Sequence, residues 1–334
     1  MPERAPLFVA QFGAGRIGQI HAANIAAMPD VRLRYVVDVN AEAAQQLAGR
    51  YGAKVVSERE VFADPKVGAV LIASSTDTHA RLATEAARAG KPIFCEKPID
   101  LSLKKVDECL REVKKARVPM FVGFNRRFDP SFRALKARVD KGAVGAVEQV
   151  VITSRDPGLP PFEYLKVSGG QFRDMTIHDF DMARWLLGEE PVEVYAIGEA
   201  LVDARVKELG DIDSAMVLLR TKSNRLCHIN NSRRAAYGYD QRIEVFGSKG
   251  LLRAGNKTPS TVERSDGTAV CTEKPLHFFL ERYADAYRAE MNAFVTALKK
   301  KAPMPVGAED GRQALVLAEA ALESLKTGKA VKVA

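Results

Sequence analysis

No run of apolar residues in this chain approaches the roughly 20 needed to cross a bilayer, which excludes a helical membrane span and points to a soluble protein. The opening residues Met1-Pro2-Glu3-Arg4-Ala5-Pro6 have charge but no apolar segment of the kind a secretory leader needs, so a cytoplasmic setting is expected. Cysteine is scarce. Cys95, Cys109, Cys227 and Cys271 stand far apart, with no spacing of a zinc knuckle or redox pair, which argues against a disulfide framework and a structural metal. Low-complexity tracts and internal repeats are absent too. The formal net charge of +8 invites a nucleic-acid reading, but the basic residues are dispersed. Their one compact run, Lys299-Lys300-Lys301, closes a helical pattern, where cations complement the helix dipole. The excess charge suits small anions such as a dinucleotide better than a polynucleotide.

What is present is enough for two domains: 334 residues, 46% of them hydrophobic. Up to residue 123, short β-rich runs at 7–12, 33–38, 54–56, 68–73, 92–95 and 119–123 alternate with amphipathic helical patterns. That alternation predicts an α/β, doubly wound parallel sheet of Rossmann type. From 124 to 334 the runs at 147–153, 192–197, 215–220, 226–231 and 242–246 follow one another with few helices between. They predict an α+β domain with an open, mainly antiparallel sheet. Helical patterns at 276–300 and 309–327 close the chain, and the charged stretch 203–208 reads as a solvated loop.

The first strand runs into Gly13-Ala14-Gly15-Arg16-Ile17-Gly18 and then a helical pattern, which is G-x-G-x-x-G in the context it requires. Gly13 permits the tight turn, Gly15 lets backbone approach a pyrophosphate and Gly18 allows helix to pack on strand, with the amides around Arg16 and Ile17 facing the phosphates. About twenty residues on, the second strand ends at Asp38, where a carboxylate accepts hydrogen bonds from ribose hydroxyls and repels a 2′-phosphate. NAD is therefore the expected cofactor. Ser75 and Thr76, beyond the fourth strand, are expected beside it, although Thr76 or Asp77 serves equally as a helix N-cap, and His79 stays open between a structural and a functional role.

A further strand ends in Cys95-Glu96-Lys97-Pro98, which puts Glu96 and Lys97 at the rim where a nicotinamide is expected, with Pro98 a candidate for a cis bond. In the second half, Asp174, His178 and Asp181 fall at i, i+4 and i+7, on one face of a predicted helix. Oxidising an alcohol requires an acceptor for the hydroxyl proton as hydride departs, and histidine, with an ordinary pKa of about 6.5, suits that task. Asp174 as a mere N-cap and His178 as a satisfied core histidine are the competing structural readings. A metal reading of the same stripe lacks a clear further ligand.

Together these motifs resemble the Gfo/Idh/MocA family of sugar and polyol oxidoreductases, most closely its bacterial inositol 2-dehydrogenases. The resemblance extends over essentially the whole chain and includes Glu96-Lys97-Pro98, the segment from Gly123 to Pro130, the start of the Asp174 helix and the segment from Asn231 to Arg242. It implies NAD-dependent oxidation of a cyclic polyol to a ketone, with Lys97, Asp174 and His178 as the catalytic set and Arg127 and Tyr237 as substrate contacts. It also implies a homotetramer assembled through the open face of the second sheet. Where some inositol dehydrogenases have His-Arg-Asn, this chain has Ser154-Arg155-Asp156, so Asp156 stands in for an amide at a substrate position and a histidine contact is missing. Scyllo-inositol or a hexose such as glucose is the alternative substrate. A dinucleotide-binding sensor without turnover is the alternative of a different class.

Overall fold

The computed structural model describes residues 5–333; residues 1–4 of the charged start, and residue 334, lie outside the described residues. The chain divides into two compact units, one running to Asn125 and adding Tyr287–Gln313, the other taking Arg126–Ala286 and the chain from Ala314.

The first unit is built on strands β1 (Leu7–Phe12), β2 (Val31–Val37), β3 (Lys54–Val55), β4 (Val67–Ile72), β5 (Ile93–Glu96) and β6 (Met120–Gly123). They alternate with helices α1 (Arg16–Ala26), α2 (Ala41–Tyr51), α3 (Glu58–Ala63), α4 (Thr76–Arg88) and α5 (Leu103–Ala116). All pairings are parallel, in the order β3-β2-β1-β4-β5-β6. This is the doubly wound order, whose direction of winding reverses between β1 and β4; ligands bind beyond the carboxyl ends at that point. Apart from Gln11, its central strands are apolar, with Val9, Ala10 and Phe12 in β1 and Ala69, Val70, Leu71 and Ile72 in β4 all buried, as strands covered on both faces must be.

The second unit has a seven-stranded sheet of β7 (Val147–Arg155), β8 (Pro191–Glu199), β9 (Ser214–Thr221), β10 (Leu226–Ser232), β11 (Asp240–Gly247), β12 (Gly250–Ala254) and β15 (Val331–Lys332). A separate hairpin pairs β13 (Glu263–Ser265) with β14 (Val270–Thr272). The remaining helices are α6 (Pro130–Asp140), α7 (Phe162–Leu165), α8 (Ile177–Leu187), α9 (Arg205–Glu208), α10 (Phe279–Arg282), α11 (Ala284–Lys300) and α12 (Ala308–Thr327). Strand order is β12-β11-β7-β10-β9-β8-β15, and every pair is antiparallel except β7 with β10. That one parallel pair matters for the site, because it sends two strands out of the sheet side by side.

Three details differ from the sequence reading. The stretch 203–208 is not simply a solvated loop: α9 forms there because Val206 is fully buried beneath it. The late helical pattern splits at Tyr283 into α10 and α11. Residues 287–313 pack into the first unit, where Phe294 of α11 meets Phe94 of β5 edge-on at 5.5 Å and Phe121 of β6 at 5.9 Å.

Candidate active site

In the first unit the glycine turn has the stereochemistry its motif demands. Gly13 has φ of +101°, and a β-carbon there would come within 2.3 Å of the Ala73 carbonyl oxygen on the loop after β4. A β-carbon on Gly18 would come within 2.2 Å of the Gly13 carbonyl oxygen, whereas Gly15 faces open space. The turn is therefore closed against its own strand and helix and open only where a pyrophosphate would lie. Beneath it, buried Gln11 donates from Nε2 to the carbonyls of Gly13 at 2.8 Å and Gly18 at 2.9 Å, tying strand, turn and helix together. Asp38, just past β2, accepts from the Ala14 N–H at 2.6 Å and from the Asn40 N–H at 2.8 Å, so its carboxylate is aimed at the turn. Arg16 and Ile17 open α1, and Ser75 and Thr76 begin α4, with no capping bond from the Ser75 side chain. These residues fit a bound dinucleotide: an unobstructed turn at a helix N-terminus, with an acid held beside it.

Lys97 follows β5 directly and is half-buried, and the Lys97–Pro98 peptide is cis. His79 is buried and bridges two loops of this unit, with Nδ1 2.8 Å from the Pro98 carbonyl and Nε2 3.1 Å from that of Ser74. It acts as a strut for the lysine turn. Glu96 holds His21 of α1 at 2.6 Å.

In the second unit, a single turn of π-helix, Phe172–Thr176, leads into α8, and Asp174 sits in that wider turn. Such turns recur at functional sites because the extra residue re-aims side chains. Here Asp174 receives a hydrogen bond from Arg233 Nη2 at 2.9 Å and one from the Tyr164 hydroxyl at 2.7 Å. Arg233 is 1% exposed and also donates to Gln171 at 2.9 Å. It reaches this place because β7 and β10 run parallel: the Asp156 N–H donates to the Ser232 carbonyl at 2.9 Å, so Asp156 and Arg233 leave the sheet together. Their side chains stand 3.9 Å apart. Burial raises the Asp156 carboxyl to about 6, against the opposing pull of Arg233 and Arg126, with the negative charges of Asp174 and Asp179 adding to the rise.

Asp181 does not share the surroundings of Asp174. It is buried and forms a two-pronged pair with Arg127, at 2.8 and 2.6 Å, so the guanidinium expected at a substrate is engaged with the helix itself. Its neighbour Arg126 pairs with Asp179 at 2.5 Å, and Asp179 in turn accepts from Asn231 at 2.9 Å. Tyr237 donates to Asp240 at 2.5 Å and accepts from Arg155 at 3.0 Å. His178, at the start of α8, is half-buried.

Against known families, residues 7–124 match the oxidoreductase family with NAD-binding Rossmann fold, and residues 132–253 match the GFO/IDH/MocA C-terminal domain. The chain belongs to the Gfo/Idh/MocA oxidoreductase family. It is 49% identical over 323 residues to an inositol 2-dehydrogenase of Rhizobium meliloti, covering 96% of this chain and 98% of that one. It is 48% identical to a myo-inositol 2-dehydrogenase of Thermotoga maritima, covering 96% of each. A scyllo-inositol dehydrogenase of Lactobacillus casei, solved with NAD(H) and scyllo-inositol, superimposes with a TM-score of 0.90 at 28% identity, over 98% of this chain and 99% of that one. NAD is the cofactor of the fold.

Within this family frame, the residues that reading the sequence did not single out are Gln11, Tyr164, Gln171, Arg126 and Arg233. Arg233 lies inside a segment quoted for its resemblance, yet nothing local marks it as the partner of Asp174, 59 residues earlier. Gln11, a polar residue in a strand otherwise apolar, carried a signal that was available.

Proposed function

We propose that the protein oxidises a secondary alcohol of a cyclic polyol to a ketone with NAD, myo-inositol being converted to 2-keto-myo-inositol. The observation that carries this reading is Asp174, a carboxylate locked between Arg233 and Tyr164 one turn ahead of His178 in a chain whose glycine turn is shaped for a dinucleotide. The Rhizobium meliloti and Thermotoga maritima relatives, named for inositol, point to the same substrate.

NAD, held by the Gly13–Gly18 turn and Asp38, would supply the acceptor for the carbinol hydrogen and its electron pair. An imidazole nitrogen of His178 accepts the hydroxyl proton, so the oxygen is left to form the carbonyl. The Lys97 ammonium stabilises negative charge on that oxygen as the proton leaves. Asp174, unable to turn, binds a ring hydroxyl and sets the orientation of the ring. Asp156 and Tyr237 would contact hydroxyls further round it, and Arg127 supports the wall through Asp181.

NADH formation followed over inositol isomers and common hexoses, with NAD and with NADP, tests the assignment. Turnover is expected with myo-inositol and NAD; absence of NADH from every cyclic polyol would refute it. Scyllo-inositol is the second reading, favoured by the Lactobacillus casei likeness.

The elevated Asp156 carboxyl adds a pH dependence. Above about 6 it is ionised and accepts from a substrate hydroxyl; as pH falls through about 6 it takes up a proton and loses part of that capacity. KM for the polyol is expected to rise on acidification, and Asp156→Asn should flatten this dependence. A variant with the unaltered pH profile would place the step elsewhere.

We infer further that the enzyme works in the cytoplasm as a homo-oligomer, a tetramer in keeping with the family resemblance. Supporting assembly, the outer face of the second sheet exposes paired apolar residues, Tyr195 opposite Leu218 and Ile197 opposite Met216, with Phe246 and Leu251 towards the other edge. No helix among the described residues is long and apolar enough to cross a membrane.

A further inference from the structure

Behind the lysine turn, the first unit buries an acid that neither the glycine motif nor the proposed chemistry uses. Glu290, on α11, is 0% exposed, and neither of its carboxylate oxygens has a hydrogen-bond partner among the described residues. One of its oxygens, one oxygen of Glu96 and a ring nitrogen of His21 all lie within 4.8 Å of one another. His21 Nε2 is 2.6 Å from Glu96 Oε1, while its Nδ1 is buried with nothing opposite it, so the ring presents its proton at Nε2 and donates to the Glu96 carboxylate. The rings of Phe94 and Tyr287 meet the His21 ring edge-on at 4.9 and 5.8 Å, closing the pocket with aromatic carbon.

Two ionised carboxylates cannot share such a place without a cation, and among the described residues of this cluster the one donor, His21, is already taken by Glu96. The proton must then sit on Glu290. Its carboxyl is indeed pushed well above the ordinary range, first by burial and then by the charge of Glu96. An unpaired buried acid costs stability that an apolar side chain of similar volume would not, so packing does not explain it. The groups facing Glu290 are His21 from α1 and Glu96 from β5, with Tyr287 one turn earlier on its own helix. Glu96 is the residue before Lys97. Its carboxylate is also pressed against the backbone of Gly123, where a β-carbon would come within 3.0 Å.

We propose that Glu290 is a positioning residue: as a neutral acid it confines the Glu96 carboxylate against His21 and Gly123, and so holds the turn that carries Lys97. This rests on the role given to Lys97 above. A second ionised carboxylate, or a gap in place of Glu290, would let the Glu96 side chain and the end of β5 shift, and displacement of a catalytic group by about 1 Å is enough to cost ~10²-fold in rate.

The test uses the full-length enzyme with E290Q, which keeps the shape of the neutral acid, and E290A, which removes it. The infrared carbonyl band of a protonated carboxylic acid is expected in the wild type at neutral pH and missing from E290Q. E290Q should retain turnover close to wild type, while E290A loses about 10²-fold in kcat with KM for NAD little changed. Should E290A fail to fold, E290V leaves a smaller gap and should show part of the same loss in kcat, whereas E290M, neutral and of similar volume, should turn over close to the wild type. The proposal is overturned if the band is absent, if E290A or E290V turns over like the wild type, or if E290Q or E290M is as impaired as E290A. A stoichiometric divalent metal in the purified enzyme would overturn it as well, by making the three residues ligands. The infrared band needs no turnover, so it stands even if no polyol is oxidised, an outcome that would count against the proposed reaction and not against the protonated acid.

Discussion

Replacing His178 by alanine is expected to lower turnover about 10²–10⁴-fold while leaving NAD affinity close to that of the parent enzyme. The reasoning is chemical. Removing hydride from a carbinol without first accepting its hydroxyl proton would leave a protonated carbonyl, a high-energy species, so the proton acceptor acts in the step itself. His178 follows the π-turn of Asp174 and is half-buried, so the residue is not sealed in the core. If the ring served packing alone, the alanine variant would melt earlier and turn over normally at a temperature where it is folded. Steady-state kinetics together with a thermal melt separate the two, and unchanged kcat would end the assignment.

Arg233→Met should destabilise the protein by about 3–5 kcal/mol and impair turnover as well. The guanidinium is buried and holds Asp174 and Gln171, with Asp156 close by. Methionine fills part of the volume and removes the guanidinium that stands between Asp174 and Asp156. Asp156, already raised to about 6 with Arg233 pulling it down, would rise further. A carboxyl whose folded pKa lies above its unfolded value disfavours folding once it ionises, so its penalty appears as pH rises and is relieved below the unfolded value. The loss in urea midpoint should therefore be larger at pH 8 than at pH 5. Lysine is not expected to restore the wild-type behaviour, since one ammonium cannot reproduce the fork that reaches Asp174 and Gln171 together. Equal stability of variant and parent at both pH values would show that Arg233 contributes nothing net to the second unit.

How much was legible in advance follows from how far apart the interacting residues lie. The glycine turn and Asp38 could be read because a strand, a turn, a helix and the next strand form one local unit, and only glycine tolerates the contacts made at positions 13 and 18. The alternation of strands and helices likewise announced a parallel sheet. The face shared by Asp174, His178 and Asp181 was inferred from α-helical spacing. The π-turn alters that spacing, and Asp181 turned out to be the partner of Arg127.

The order of residues along the chain determined the cofactor turn, the two sheet types and the family membership, because each depends on short-range stereochemistry or on patterns repeated along one element. Only the tertiary structure decided that Arg233 clamps Asp174, that the β7 and β10 ends emerge together, and that Glu290 lies against Glu96 and His21. These partners are separated by tens to hundreds of residues. Whether a buried charge has its counter-charge is settled by packing between elements, which periodicity within one element does not encode.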